Sequence, residues 1–304
     1  MNKQNKPMSV IPQPDNSALV KIVEGRDENN QLVKVPVVTE LPLTIFLNRQ
    51  EIVTTMTLGD WPEYLAVGFL KNQNMLKDDD VITAIDVDND LGVVVVRTER
   101  ETNYEEKLKQ KIQTSGCAQG TQFGDMMDAM EDISLNQDAR IHISDMMRLI
   151  KTINTMPSLY LSAGAIHGCV LAEGDHVLAY IEDVGRHNAV DKIAGWMRLN
   201  HITGENKIFY TTGRLTSEMV IKTVQMQIPI LVSRSGFTHS GVAMADQTGL
   251  TLIGRARGKR FTALTGCQRI IDDYDANKGD AAAIDGTDDG DDDMASPQRA
   301  ASRK

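Results

Sequence analysis

The sequence predicts an α/β fold in two parts. A smaller α+β domain at 32–143 precedes a three-layer α/β/α domain at 144–271, with disordered segments at 1–31 and 272–304. Three observations predict it. The 304 residues are 41% hydrophobic and 24% charged, an ordinary globular composition long enough for about two domains. After Pro157, short β-rich runs alternate with helical stretches, the pattern of βαβ units and a largely parallel sheet covered on both faces. Before Pro157 the strands are clustered irregularly around one helix.

Taken in order, residues 1–31 are polar and lack the apolar stretch of a signal peptide. Runs 32–38, 43–48 and 51–56 read as strands with short polar breaks. A helix starts at Asp60 as N-cap, with Pro62 in its first turn and Tyr64, Leu65, Val67, Phe69 and Leu70 as its apolar face. Strands 81–87 and 92–98 are joined by Asp88-Asn89-Asp90. The stretch 114–125 holds Gly116, Gly120 and Gly124 and reads as a loop. Ser144 caps a helix running through 153. Strands then fall at 168–172, 177–181, 208–211, 229–232 and 250–254, with helices at 188–197, 217–226 and 240–247. From 278 to 304 the chain is rich in Ala, Asp and Gly with no apolar period, a disordered tail by composition.

Net charge is −10, and the region from 272 onward, with ten Asp against four basic residues, carries six of those negative charges. A net-acidic chain is a poor match for a nucleic-acid backbone. No apolar run reaches the ~18 residues of a membrane span. Three widely spaced cysteines, Cys117, Cys169 and Cys267, fit a reduced cytoplasmic protein and lack the paired spacing of a zinc site.

Ligands of open α/β sheets lie beyond the carboxyl ends of the strands. Here those ends deliver Glu182-Asp183-Val184-Gly185-Arg186-His187-Asn188, Thr212-Gly213-Arg214, Ser233-Arg234-Ser235-Gly236, and Gly254 through Phe261 with Arg255, Arg257, Lys259 and Arg260. Each supplies Arg beside Gly or Ser, and the first three also open a helix. Guanidinium forks and free helix N–H groups are what phosphates need. Four in register point to a nucleotide or pyrophosphate-bearing ligand; the plainer alternative is four separate surface arginines. There is no Walker sequence and no Gly-x-Gly-x-x-Gly, which disfavours a simple NTPase or dehydrogenase. His187, at a helix start, is a ligand contact or proton carrier on one reading and a packing residue on the other. Cys117, in Thr114-Ser115-Gly116-Cys117-Ala118-Gln119-Gly120, is either an accessible thiol or an inert one. Cys169, in a strand, and Cys267 both read as small core or surface residues. Met126, Met127, Met130, Met146 and Met147 read as adaptable core or contact surface rather than a metal site.

The run Glu182-Asp183-Val184-Gly185-Arg186-His187-Asn188-Ala189-Val190-Asp191-Lys192 resembles a signature of the FdhD family of formate dehydrogenase accessory sulfurtransferases. So do Thr212-Gly213-Arg214-Leu215, 229–235, 256–261, Pro42-Leu43-Thr44 and 63–70, in that family's order. The resemblance spans 38–266. It implies a cytidine-deaminase-like α/β domain without zinc. It implies a sulfur carrier that takes persulfide sulfur from a cysteine desulfurase and passes it to the molybdenum of bis-molybdopterin guanine dinucleotide (bis-MGD), required for formate dehydrogenase. Carried over, Cys117 is the persulfide residue. Gly258, Lys259, Arg260, Phe261, Thr262 and Ala263 are the cofactor segment, and Arg186, His187, Arg214, Ser233 and Arg234 become further cofactor contacts. Partners would be the desulfurase, formate dehydrogenase and a second copy of the chain. Many members carry Cys-x-x-Cys, where this chain has Gly120 as the second residue; a relay through one sulfur needs only Cys117. The other readings are a bis-MGD-binding chaperone with an inert Cys117, and a thiol redox enzyme.

Overall fold

A computed structural model describes residues 10–100 and 133–273, together with the backbone pairing of two short strands at 112–114 and 117–121. Strands β1 (Val20–Arg26) and β2 (Leu32–Val38) form an antiparallel ribbon. Strands β3 (Leu41–Leu47), β4 (Gln50–Thr57), β5 (Ile82–Asp88) and β6 (Val93–Thr98) form a sheet in the order β4-β3-β6-β5, and α1 (Pro62–Asn72) covers one face of it. Strands β7 (Ile112–Thr114) and β8 (Cys117–Thr121) pair antiparallel, so the stretch expected to be a loop around Cys117 is in part a hairpin. Its glycines mask a strand signal, because period-2 apolar alternation is absent there.

The larger unit begins with β9 (Ile141–His142), α2 (Ile143–Thr155) and α3 (Leu159–Ser162). There follow β10 (His167–Glu173), β11 (His176–Asp183), α4 (Arg186–Leu199), β12 (Ile208–Thr211), α5 (Ser217–Gln225), β13 (Ile230–Ser233), α6 (His239–Gln247), β14 (Thr251–Arg257) and β15 (Arg260–Thr265). A short β16 (Ile270–Ile271) returns to pair with β9. The six long strands order as β11-β10-β12-β13-β14-β15.

The sheet is mixed, not largely parallel as expected: only β12–β13 and β13–β14 run parallel. Two-residue connections are the reason. Gly174-Asp175 and Gly258-Lys259 join β10 to β11 and β14 to β15, and such short turns can only join antiparallel neighbours. Both glycines hold positive φ, 58° and 54°, as tight hairpins require.

Side-chain alternation splits the core into layers. Cys169 and Leu171 of β10 face α4, α5 and α6, whereas Val170 and Ala172 face α2. Met146 and Met147 of the methionine stripe are buried on α2, as core; Met126, Met127 and Met130 lie outside the described residues.

The segment expected to be disordered at 1–31 is structured from residue 10. Val10 is buried and bridges Ala179 on the edge strand β11, and Leu19 packs with Leu58, Leu159 and Ile166. A few apolar residues docked on an existing core suffice, which an average over a polar segment hides. At the other end, Asp273 binds the Ser144 hydroxyl and amide at 2.7 and 3.1 Å. Ser144 is therefore inside α2 rather than its cap, and the acidic region begins as part of the fold. Residues 274–304 lie outside the described residues.

The two units meet where α1 crosses α4. A Cβ on Gly68 would sit 1.7 Å from the Asp191 carbonyl oxygen, and one on Gly195 1.9 Å from that of Tyr64. Both blocking atoms are backbone, so the helices must separate to admit a methyl group. Replacing Gly by Ala normally favours a helix by about 1 kcal/mol. Gly195→Ala is expected to reverse that sign and cost about 3 kcal/mol through overpacking, read as a lower urea midpoint with an unchanged slope.

Candidate functional site

The registers place every arginine-bearing strand end on one edge. His167 pairs with Asp183, Cys169 with Thr211, Thr211 with Ser233, and Val232 with Ile253. The starts of α4, α5 and α6 therefore open at the same side. The fourth of these ends differs from expectation: the chain does not leave the sheet after 254. Instead β14 continues through Arg257, turns at Gly258-Lys259, and returns as β15. Arg255 donates its amide to the Ser235 carbonyl, and Arg257 pairs with Arg260, so this hairpin overhangs the edge. Arg255 sits at a register break with φ 52°, left-handed for a non-glycine residue. Such bulges redirect side chains beside functional sites.

Arg214, Arg255, Arg257, Lys259 and Arg260 are exposed along this edge, as are Gly258 and Thr262. Phe261 and Ala263 alternate to the other side of β15 and pack on the α2 core. Arg186 stacks its aliphatic stem on Gly213: a Cβ there would meet Arg186 Cβ and Cδ at 3.3 Å. Arg234 lies 5.8 Å from the centroid of the Tyr160 ring. Ser233 is buried. Its hydroxyl donates to the Gly213 carbonyl at 2.6 Å and accepts from the Ser235 amide at 2.9 Å. It shapes the turn that presents Gly213 and Arg234.

His187 is mostly buried, with Nε2 3.2 Å from Glu218 Oε2 but outside hydrogen-bond geometry. Burial, and then the charges of Lys222 and Arg186, push its pKa down to about 2. His167 is shifted down by burial and by Arg186 and Arg214. A neutral His187 can hydrogen-bond a ligand, but it does not carry a proton near neutral pH.

Of the three thiols, Cys169 is sealed in β10, beside Thr211, with its pKa pushed up to about 12 by burial. Cys267 is exposed but follows β15 at the sheet edge opposite the arginines. Cys117 opens β8, opposite Thr114, and its side chain lies outside the described residues. Among the described residues, no cluster of three or more His, Cys, Asp and Glu is arranged to hold a metal ion.

The family model of the FdhD/NarQ family matches residues 38–271, most of the chain. This chain belongs to the FdhD/NarQ family. It is similar to the sulfur carrier protein FdhD of Bacillus subtilis (strain 168), with 29% identity over 81% of this chain and 95% of the relative. It is also similar to that of Bacillus pumilus (strain SAFR-032), with 28% identity over 78% and 90%. A solved structure described as a formate dehydrogenase accessory protein, from Desulfotalea psychrophila, matches with TM-score 0.67 and 29% identity, over 83% of this chain and 98% of that one. The mixed α/β fold is shared with it.

In this FdhD/NarQ chain the long signature at 182–192 does two jobs, and one was not read from the sequence. Arg186 and His187 open α4 at the cationic edge. Glu182 is buried, and its two oxygens each accept a backbone N–H at 2.8 Å, from Leu159 and Tyr160, which holds the ring under Arg234. Burial raises its pKa to about 7, opposed by those two donors. Asp183 Oδ2 accepts from Lys192 at 2.6 Å and Thr57 at 2.5 Å, and its Oδ1 from Gly185 and Asn188. Lys192 also reaches Asp60 at 2.5 Å. Asp60 is thus an ion-pair partner rather than the N-cap of α1, a place taken by Trp61. Asp191 accepts from Lys222 and Asn72. These contacts weld the smaller unit to the larger directly beneath the edge. The available signal was Asp191-Lys192 between Ala189-Val190 and Ile193-Ala194: charges inside an apolar helical stretch must be paired.

No helix among the described residues is long and apolar enough to cross a membrane.

Proposed function

We propose that this chain is a sulfur carrier for formate dehydrogenase, with Cys117 as the persulfide residue and the cationic edge as the seat of bis-MGD. The observation that carries it is the convergence of Arg186, Arg214, Arg234 and the overhanging 255–260 hairpin on one edge, in a chain of the FdhD/NarQ family. The names of the relatives support the sulfur-carrier role, and the guanine dinucleotide arms supply the phosphates that such an edge suits. The larger domain, in this reading, is a cytidine-deaminase-like scaffold without zinc.

The chemistry has two steps. Cys117 thiolate attacks the outer sulfur of a desulfurase persulfide; a new S–S bond forms on Cys117 and the desulfurase thiolate leaves. Transfer onward breaks that bond, forms a molybdenum–sulfur bond with two electrons from the metal centre, and returns Cys117 as thiolate. The edge contributes positioning, holding the dinucleotide arms so that the metal meets the sulfur. His187, held neutral, serves as a hydrogen-bond partner for the ligand.

The test is mass spectrometry after incubation with a cysteine desulfurase and cysteine. One added sulfur on Cys117 is expected, and Cys117→Ala is expected to lose both the adduct and active formate dehydrogenase. If Cys117→Ala still yields active enzyme, the chain is a bis-MGD-binding chaperone instead. An adduct confined to Cys267 would move the site to the opposite edge.

A further inference from the structure

The overhanging hairpin gathers like charges that the described fold leaves uncompensated. Arg257 stands directly opposite Arg260 in the β14–β15 register, and like charges so placed repel. Both are exposed, as are Arg214, Arg255 and Lys259. Among the described residues, none of these five has a carboxylate within ion-pair distance. The carboxylates at the same strand ends do not compensate them. Glu182 and Asp183 are buried, one held by the Leu159 and Tyr160 amides and the other by Lys192.

The chain carries a matching anion of its own. Residues 285–293 hold Asp285, Asp288, Asp289, Asp291, Asp292 and Asp293 and no basic side chain. This run is tethered at a defined place. Asp273 is fixed to the Ser144 hydroxyl and amide and lies 3.2 Å from His142 Nδ1, at the start of α2. From there α2 leads to Leu159 and Tyr160, which meet Glu182 and Arg234 at the cationic edge. The 13 residues of α2 measure about 20 Å at 1.5 Å each. The 6 residues of β15, which run back from the hairpin, also measure about 20 Å, at 3.3 Å each. Asp285 is twelve positions beyond Asp273, and a chain of that length reaches up to about 40 Å. The aspartate run can therefore reach the edge with slack.

We propose that residues 285–293 dock on the cationic edge of their own chain, where their carboxylates take the place of the phosphates of an anionic ligand until it displaces them. A tether long enough to span two sites holds them at an effective concentration of about millimolar. A small anion competes poorly with six carboxylates held that way, whereas a ligand with several phosphates displaces them. Docking requires only the charge of the edge, not bis-MGD or the sulfur-carrier chemistry.

Carbodiimide coupling of the intact chain, which joins a carboxylate to a lysine amine in direct contact, tests this. Lys259 lies on the hairpin turn. Lys151, exposed on α2 eight residues after its start, is about 12 Å along the helix from the anchor and so nearer to it. Amide bonds from 285–293 are expected within one chain, on Lys259 in preference to Lys151. They should vanish in about 0.5 M salt, where the Debye length is about 4 Å. With the six aspartates replaced by asparagine, inorganic pyrophosphate is expected to bind at least about fivefold more tightly, because the edge is then free in every molecule. Coupling to Lys151 as often as to Lys259 would reflect the tether alone and would overturn the docking. Coupling found only between chains would place the segment on a second copy and overturn the contact within one chain. Equal pyrophosphate affinity in the two proteins would overturn the competition. Pyrophosphate binding to neither would remove the phosphate seat of the proposed function, and the competition with it, while coupling to Lys259 still decides the docking.

Discussion

Lys192→Met is expected to destabilise the protein by about 3–5 kcal/mol, because it strands buried carboxylates without their cation. Lys192 is fully buried, 2.5 Å from Asp60 and 2.6 Å from Asp183. Methionine keeps most of the side-chain volume, so the loss is electrostatic rather than a cavity. Its dependence on pH has a definite sign. In the native protein Lys192 is shifted above its ordinary value by the two aspartates, which outweigh its burial, so its stabilising charge is fully present below the unfolded lysine pKa and lost only as pH rises through the folded one. Between pH 5 and 8 that contribution is constant. Asp60 is already raised by burial, with Lys192 holding it down. Without that lysine its folded pKa rises further, the native state binds the extra proton, and stability falls as pH climbs above the unfolded aspartate value. The difference between variant and native protein should therefore be larger at pH 8 than at pH 5 in urea titrations. Asp60→Asn added to Lys192→Met should recover part of the loss. A difference that is flat across this range, or below about 1 kcal/mol, would remove the weld from the account of stability.

That network also marks how far the sequence could be read. Strand 208–211 falls where periodicity places it, and the helices at 186–199, 217–225 and 239–247 lie within two residues of expectation, because their apolar faces are regular. The common edge of Arg186, Arg214 and Arg234 was legible too, since strand ends followed by helices in an α/β pattern fix the side on which they emerge. The 255–260 hairpin was not: Gly254 and the basic run read as the end of a strand, and only backbone pairing with β15 reveals the overhang. Nor was the double use of the 182–192 signature. A linear motif does not say which of its residues face outward, and Asp183, Asn188 and Lys192 are occupied by Thr57, Met56 and Asp60, partners about 130 residues away whose approach depends on the Gly68–Gly195 crossing.

The second large effect separates binding from stability. Arg257 and Arg260 face each other across the β14–β15 turn and are exposed, with Arg257 Nε making a long contact, 3.4 Å, to the Arg234 carbonyl. Exposed surface changes usually move stability by less than about 0.5 kcal/mol, so Arg257→Glu with Arg260→Glu should unfold at nearly the native urea midpoint. Each charge-assisted contact to a phosphate is worth about 1.5–3 kcal/mol, and reversal adds repulsion. GDP, carrying the guanine and pyrophosphate of the proposed ligand, should therefore bind the double variant at least about 100-fold more weakly. Its native affinity should also fall with added salt, because the contacts sit in solvent. Lys192→Met, measured where it is fully folded, should leave GDP binding within a few fold, since that lysine lies under the edge rather than on it. Should the reversed hairpin bind GDP as tightly as the native chain, the overhang is not part of the anion site, and the remaining arginines at the starts of α4, α5 and α6 would have to hold the phosphates unaided.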